Sequence, residues 1–484
     1  NKETLIVPSG IQTVGSRVAN YQTNLKKVIL PDTVTTLSDE AFSRQGNKNI
    51  REFIFSNFLV NIGYKAFGEN NKWISHFKGQ PVVINNQLYT CRTRKNSVTI
   101  PEGVVKICRE AFKGNEFIET VIFPSTLKEI DSEAFAECQK LTAVYLPEGL
   151  EHLGEKCFFH CESLSTVNLP DSLMEVSRST FESCSALTEV TFGENIESIG
   201  EKAFYKCGAL KNALMKDKVK TIMPEAFSGC SALSEVRLSN SLEQIGEKAF
   251  ENSASLEAAT IPPLVRKLEK SLFRGCKSLK QIKTSDTLAE IGEDVFCDCA
   301  ALTEVTLPAR VGAHAFYRCT ALKKVIFADG MIKVEPSCFF SCSSLEEIIL
   351  PDSLQEIRIG AFAKCASLKS VVIPKTVHTI GDSAFENCSN LTDVKMNNHT
   401  IDFGKDVFTG TPYMDRSFGD FVIIGGTLSK YRGNDTTVEI PDGVTKISGN
   451  TFAETKQVES VIIPDSVQVI GTAVMGSIYQ NYQT

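Results

Sequence analysis

The chain has 484 residues, of which 42% are hydrophobic and 23% charged, and its formal net charge is −7. This composition is typical of a folded chain without a disordered tail or a low-complexity run. Lysine and arginine are scattered, so the sequence lacks the basic stripe of a nucleic-acid-binding protein. No apolar run approaches the roughly 18 residues of a membrane span. No signal-like segment is visible, and we interpret the sequence as a mature or trimmed chain.

A phenylalanine recurs every 23 residues over most of the chain, which indicates a repeat protein. The regular series is Phe112, Phe135, Phe158, Phe181, Phe204, Phe227, Phe250, Phe273 and Phe296, and after one step of 20 it resumes at Phe316, Phe339, Phe362, Phe385 and Phe408. The same position is held earlier by Ala19, Phe42 and Phe67, and later by Phe452 and Val474. About nineteen units result, and the double-length steps 67 to 112 and 408 to 452 each predict one divergent unit.

One unit reads L-x-x-V-x-L-P-x-S-L-x-x-I-G-x-x-A-F-x-x-C. The alternation around Val167 and Leu169 predicts a strand, and Pro170 ends it because proline offers no N–H to a ladder. The A-F-x-x-C segment is rich in helix formers and is expected to place Phe204 and Cys207 on one face of a short turn. One unit cannot bury its apolar face alone, so we predict stacked coils about 4.8 Å apart.

These units resemble the bacterial leucine-rich repeats of the BspA-like, treponemal type, with the consensus L-x-x-[VI]-x-[IL]-P-x-x-[VL]-x-x-I-G-x-x-A-F-x-x-C. The segment LKSVVIPKTVHTIGDSAFENC, residues 368–388, matches nearly every fixed position. The resemblance implies a single leucine-rich-repeat solenoid over residues 1–484. This fold is a right-handed superhelix with a parallel β-sheet on one face and short helical turns or extended segments opposite. Irregular repeat elements of the same family are expected at 68–103 and 409–444.

The resemblance also implies a function. Proteins of this type are exported or surface-exposed proteins of host-associated bacteria, and the founding members are adhesins that bind host matrix and plasma proteins such as fibronectin and fibrinogen. We therefore expect a non-enzymatic adhesion module, extracellular or on the cell surface, that binds host or microbial macromolecules as a monomer. The alternative is a structural spacer or stalk that presents another domain.

The cysteines and histidines do not form a recognisable catalytic or metal-binding pattern. Eleven of the sixteen cysteines follow the repeated aromatic by three residues. Stacking at about 4.8 Å would hold their Cβ atoms beyond the usual 3.5–4.5 Å or so of a disulfide, which favours buried reduced thiols over bridges. The CFFHC segment at 157–161 offers three metal ligands, but CFFSC at 338–342 repeats it without the histidine. The sequence therefore predicts no enzyme, no metal site and no cofactor.

The outward positions of the V-x-L strand predict where a partner binds. Ile326, Ile349 and Val372 occupy three successive units and predict an exposed β-branched strip, flanked by Lys324 and Glu347. The alternative is that β-branched residues simply suit any strand. Further candidate partner-binding residues at outward positions are Tyr145, Arg237, Lys283 and Lys395. A second candidate region is the inserted element around 421–431.

Overall fold

The structure, a computed structural model, describes residues 3–43, 47–68, 72–396, 401–416 and 419–474. It divides into two compact units, Asn1–Ala249 (unit 1) and Phe250–Thr484 (unit 2), each of which is described by itself. Both units are stacks of coils held by short parallel strands. Helix within the described ranges is limited to the 3-10 turn Asn47–Asn49 and the α-helices Lys72–Ser75 and Pro412–Arg416. The single solenoid over 1–484 stays a prediction.

Most coils of unit 1 contribute one three-residue strand and one two-residue strand, which belong to different sheets. The three-residue strands are Thr4–Ile6, Lys27–Ile29, Glu52–Ile54, Ser97–Thr99, Thr120–Ile122, Ala143–Tyr145, Thr166–Asn168, Glu189–Thr191, Asn212–Leu214 and Glu235–Arg237. The two-residue strands are Thr13–Val14, Thr36–Leu37, Asn61–Ile62, Lys106–Ile107, Glu129–Ile130, His152–Leu153, Glu175–Val176, Ser198–Ile199, Thr221–Ile222 and Gln244–Ile245. Equivalent residues of successive coils pair in register, as Val144 does with Val167.

Unit 2 follows the same plan. Its longer strands are Ala258–Thr260, Gln281–Lys283, Glu304–Thr306, Lys324–Ile326, Ser370–Ile373, Asp393–Met396, Thr437–Glu439 and Ser460–Ile462. Its two-residue strands are Lys267–Leu268, Glu290–Ile291, Arg310–Val311, Lys333–Val334, Glu356–Ile357, Thr379–Ile380, Asp402–Phe403, Lys446–Ile447 and Val469–Ile470. We call the surface of the three- and four-residue strands the long-strand face, and the surface of the two-residue strands the short-strand face.

The A-F-x-x-C segment forms a third ladder between coils instead of the helical turn that its composition favours. The Phe181 N–H donates to the Ala203 carbonyl of the next coil at 2.8 Å, and the Ser183 N–H donates to Tyr205 at 2.7 Å. Ser179 and Ser183 have φ angles of 52° and 62°, and this left-handed backbone on both sides of Phe181 is incompatible with a helix. Hydrogen bonds between coils therefore outweigh local helix propensity.

The predicted phenylalanine spine is confirmed as the core of each unit. Every spine residue from Ala19 to Val474 is buried. The rings of Phe158, Phe181 and Phe204 stack with centroids 5.5 and 5.4 Å apart and interplanar angles of 3° and 9°. Each of these three rings therefore packs against the rings of the coils before and after it, as a solenoid without a central core requires.

The sixteen cysteines are all free and buried. The eleven cysteines of the repeated position each donate Sγ–H to the carbonyl of a spine phenylalanine in the preceding coil, as Cys184 does to Phe158 at 3.2 Å. Burial raises the pKa of Cys138 and Cys230 to about 12. These thiols are therefore packing groups with weak hydrogen bonds and little thiolate character.

Both irregular elements contain a short α-helix followed by an antiparallel β-hairpin. In unit 1 the helix Lys72–Ser75 precedes the hairpin of Val82–Ile84 and Gln87–Thr90. In unit 2 the helix Pro412–Arg416 precedes the hairpin of Phe421–Ile424 and Thr427–Tyr431. Residues 69–71 and 417–418 of these elements lie outside the described residues.

The two hairpins turn through residue pairs that tolerate a positive φ. Asn85 and Asn86 have φ angles of 45° and 63°, and Gly425 and Gly426 have φ angles of 53° and 77°. Two-residue hairpin turns of this kind favour asparagine and glycine. The second strand of each hairpin pairs in parallel with the next two-residue strand, so the regular stack resumes beyond the hairpin.

Candidate interaction surface

The outward residues of the longer strands form the candidate surface. In Ala143–Tyr145 the central Val144 is buried and Tyr145 is exposed, and Lys324–Ile326 shows the same alternation. The cause is the two-residue period of a strand, which directs successive side chains to opposite faces. The predicted partner-binding residues are all exposed: Ile326, Ile349, Val372, Lys324, Glu347, Tyr145, Arg237, Lys283 and Lys395.

The predicted apolar strip lies on three successive coils of unit 2. The exposed fractions of Ile326, Ile349 and Val372 are 41%, 76% and 50%, and among the described large hydrophobic residues none is more exposed than Ile349. At the coil of Ile349 the longer strand is reduced to one bridge, between Glu347 and Ser370. Strand propensity therefore explains why Ile326 and Val372, which lie in regular strands, are β-branched. It explains the β-branched side chain of Ile349 less well.

Charged side chains border the strip. Lys324 Nζ lies 3.0 Å from Glu304 Oε1, and Lys395 Nζ lies 3.9 Å from Asp393 Oδ2. Within the part of the chain that the structure describes, Glu347 makes no ion pair. Exposed ion pairs contribute only about 0–1 kcal/mol, so these charges could reorient toward a partner at little cost. An apolar centre with a charged border is typical of a protein contact surface.

The longer strands of unit 1 carry a second apolar pair, which the sequence analysis identified only in part. Tyr145 is 74% exposed, and Ile122 on the preceding coil is 56% exposed. On the following coil, the Asn168 side chain instead hydrogen-bonds to the backbone N–H and carbonyl of Leu146, at 3.0 and 3.1 Å. Arg237, four coils beyond Tyr145, lies 3.5 Å from Asp217. The feature of the sequence that could have identified Ile122 is its place at the outward-facing strand position of the repeat unit.

The structure does not bring the CFFHC residues together as a metal site. Cys157 and Cys161 are buried, and Cys161 donates to the Phe135 carbonyl at 3.1 Å. His160 Nδ1 instead lies 3.7 Å from Glu162 on the surface. Among the described residues, no group of three or more His, Cys, Asp or Glu side chains could hold a metal ion. No helix in these residues is long and apolar enough to cross a membrane.

The sequence matches the family described as BspA type leucine rich repeat region, in six copies over residues 1–87, 82–211, 197–313, 309–420 and 423–480. The chain belongs to the BspA-type leucine-rich repeat family. Leucine-rich-repeat solenoids are generally non-enzymatic, and membership of this family suggests a protein-interaction module.

One solved structure supports the fold of the BspA-type chain, and the sequence is also similar to a second solved protein. A leucine-rich repeat protein from Bacteroides ovatus is 24% identical, with a TM-score of 0.51, and the match covers 80% of this chain and 94% of that chain. A leucine rich cell surface protein from Faecalibacterium prausnitzii is also 24% identical, with a TM-score of 0.31 and coverage of 82% and 88%. No curated protein matches the sequence.

Proposed function

We propose that this BspA-type chain is an extracellular or cell-surface adhesion protein that binds a protein partner through the long-strand face of unit 2. The observation that carries the proposal is Ile349, whose side chain is 76% exposed at the centre of an apolar strip. Full burial of such a side chain contributes about 1.5–3 kcal/mol. A contact over Ile326, Ile349 and Val372 could therefore supply the apolar centre that protein interfaces usually contain.

The proposed partners are host matrix or plasma proteins, of which fibronectin and fibrinogen are the first to test, and microbial surface proteins come next. The resemblance to BspA-like adhesins suggests this class, and the mixed charge of the surface suits a protein with a polar rim around its contact. Lys324 and Glu347 provide one charge of each sign beside the strip. We expect the chain to bind as a monomer.

The test is a binding screen of the full chain against matrix and plasma proteins, repeated with Ile349→Asp. This variant replaces an apolar contact with a charge and should weaken binding roughly 10- to 100-fold, which corresponds to about 1.5–3 kcal/mol. The matched control is Ile332→Asp, because Ile332 is also exposed, at 52%, and precedes a strand of the short-strand face in the same unit. The control should bind like the wild type.

The outcomes distinguish the alternatives. Saturable binding that is lost in Ile349→Asp and retained in Ile332→Asp would support adhesion through the strip. Equal binding by the wild type and Ile349→Asp would remove the strip from consideration. An absence of binding to every protein of the panel would favour the spacer or stalk.

A further inference from the structure

An open groove of about 600 Å³ lies beside the hairpin of unit 1. Four segments line it: the coil that ends before the helix, Ile74 of the helix, the end of the hairpin with the loop after it, and the following coil. Its cationic side chains are Lys65, Arg92, Arg94, Arg109 and Lys113, and its acidic side chains are Glu110 and Glu116. The groove therefore concentrates positive charge in a chain whose formal net charge is −7.

One wall of the groove is held in place by contacts among its own charges. Arg109 lies over the ring of Tyr64, with 4.9 Å between the guanidinium carbon and the ring centroid. Arg109 also donates to Glu133 at 3.3 Å, and Lys113 pairs with the same carboxylate. Burial raises the pKa of Glu133, but Lys113 and Arg109 outweigh this effect and hold it below its usual range. Glu133 thus stays ionised and fixes both cations.

The other cations, Arg92 and Arg94, are exposed, and neither makes an ion pair or side-chain hydrogen bond within the described residues. Their backbone is nevertheless anchored. The intervening Thr93 is buried and accepts a hydrogen bond from the Asn115 side chain at its carbonyl, at 3.0 Å, and Cys91 donates to the Gly79 carbonyl at 3.4 Å. Two unpaired guanidinium groups therefore project from a fixed segment, which limits the entropy lost on binding an anion.

The corresponding element of unit 2 lacks most of these cations, so the element does not need those cations to fold. The two elements align without gaps at a constant offset of 340 residues from the hairpin onward. Where unit 1 has Arg94, Arg109 and Lys113, the equivalent positions of unit 2 are Asn434, Gly449 and Ala453, whereas Arg92 is matched by Arg432. Lys65, two residues before the spine Phe67, corresponds to Asp406, two residues before Phe408. The groove of unit 2 is about 280 Å³, and its Lys430 pairs with Glu454 at 2.6 Å. Four of the five cations of the first groove are therefore replaced by uncharged or acidic residues in unit 2.

We propose that the groove of unit 1 binds an anionic polysaccharide whose sulfate or carboxylate groups contact Arg92, Arg94, Arg109 and Lys113. Guanidinium groups form paired hydrogen bonds with planar or tetrahedral oxyanions, and such charge-assisted bonds are stronger than neutral ones. The proposal does not depend on the Ile349 strip, which lies in the other unit.

The lining of the groove favours a polysaccharide over the other common polyanions. An acidic peptide would usually also need apolar pockets for its side chains, and most of the lining is polar. A single-stranded nucleic acid would need several rings on which bases stack. The Tyr64 ring is already in contact with Arg109 and Lys65, which leaves Phe117, 41% exposed, as the open ring of the groove.

The experiment measures binding of a fluorescent heparin oligosaccharide, a sulfated chain with uronic acids, to the full protein by anisotropy at low and at physiological salt. The double variant Arg92→Gln/Arg94→Asn removes the two unpaired charges, and its second substitution copies Asn434 of the other groove. We expect this variant to bind heparin about tenfold more weakly than the wild type, or weaker still, and its affinity to depend less steeply on salt. The control Lys323→Gln/Lys375→Gln removes two exposed charges in unit 2 and should leave the affinity within about twofold.

Three kinds of result would overturn the proposal. One is equal weakening in both double variants, which would assign binding to the overall charge of the protein. Another is heparin binding that is absent at low salt, or that is unchanged in Arg92→Gln/Arg94→Asn. The third is displacement of heparin by polyglutamate or by a single-stranded oligonucleotide at a lower concentration than by unlabelled heparin, which would assign the groove to a peptide or a nucleic acid. Equal melting temperatures of the variants check that the fold is retained.

Discussion

Removing the ring of Phe181 tests whether the aromatic spine holds the coils together. Phe181 is fully buried and stacks between Phe158 and Phe204, with centroid separations of 5.5 and 5.4 Å. A buried Phe→Ala change typically costs about 3–5 kcal/mol, because transfer free energy is lost and a cavity remains. Each aromatic pair adds about 0.5–1.5 kcal/mol beyond burial. We therefore expect Phe181→Ala to lower the free energy of unfolding by about 3–5 kcal/mol, toward the upper end because both aromatic pairs are lost.

Two matched variants separate the stability contributed by the spine position from the stability lost when a phenylalanine ring is removed elsewhere. Phe181→Leu keeps most of the volume and should cost about 1.5 kcal/mol or less. Phe159→Ala removes the same side chain from the neighbouring column, where Phe159 is half-buried and contacts His160, with ring centroids 4.3 Å apart. This second variant should cost about 1 kcal/mol.

The assay is urea unfolding combined with native-state hydrogen exchange. Solenoids unfold in segments, so exchange is needed to locate the loss of stability. In Phe181→Ala the amides of Phe181 and Ser183, which donate to the next coil, should lose protection before amides of distant coils do. A cost below about 1 kcal/mol, or a Phe159→Ala cost as large as that of Phe181→Ala, would refute the role assigned to the spine.

Two further predictions concern the cysteines. All sixteen thiols are free and buried. A maleimide should therefore label few of them in the native protein and all sixteen after the protein is unfolded without reductant. Labelling of fewer than sixteen thiols in the unfolded chain would indicate disulfides. Burial raises the pKa of Cys230 to about 12, whereas an unfolded thiol titrates near about 8.5. The folded state therefore retains a proton that the unfolded chain releases, so this stabilising contribution is complete below about pH 8.5 and is lost between about pH 8.5 and 12. We expect the urea unfolding midpoint to decrease as the pH rises beyond about 9. The decrease should be less steep in Cys230→Ser, since a hydroxyl does not titrate in this range. An identical dependence of the midpoint on pH in both proteins would contradict this account.

The partner-binding predictions depended on the repeat period, and this is why the exposure of the candidate residues could be anticipated. Once Val325 and Phe327 are aligned with the equivalent residues of other units, strand alternation directs Ile326 outward, and the structure agrees. The period could not reveal that the strand is interrupted at Ile349, because that depends on pairing with both neighbouring coils. Whether any of these residues binds a partner stays a prediction.

The basic groove illustrates a feature that one-dimensional reasoning missed. Arg92 and Arg94 stand together in the segment CRTRKN, and this local cluster was the available signal. Lys65 and Arg109 are far from each other in the chain, and only the tertiary structure places both against the ring of Tyr64 in the groove beside the hairpin. The groove is thus made by the irregular element together with the repeat coils before and after it.

The sequence by itself determined the coil length, the aromatic spine and the cysteine ladder, because equivalent residues of stacked coils become neighbours whenever the period is regular. The tertiary structure decided the remaining features. It turned the A-F-x-x-C segment into a hydrogen-bonded ladder with residues such as Ser179 and Ser183 at positive φ, although its composition favours a helix. It also placed a helix and a hairpin in each divergent unit. The physical reason is that an amide in a solenoid can bond to the next coil, and this option depends on the neighbouring coil as much as on the local sequence.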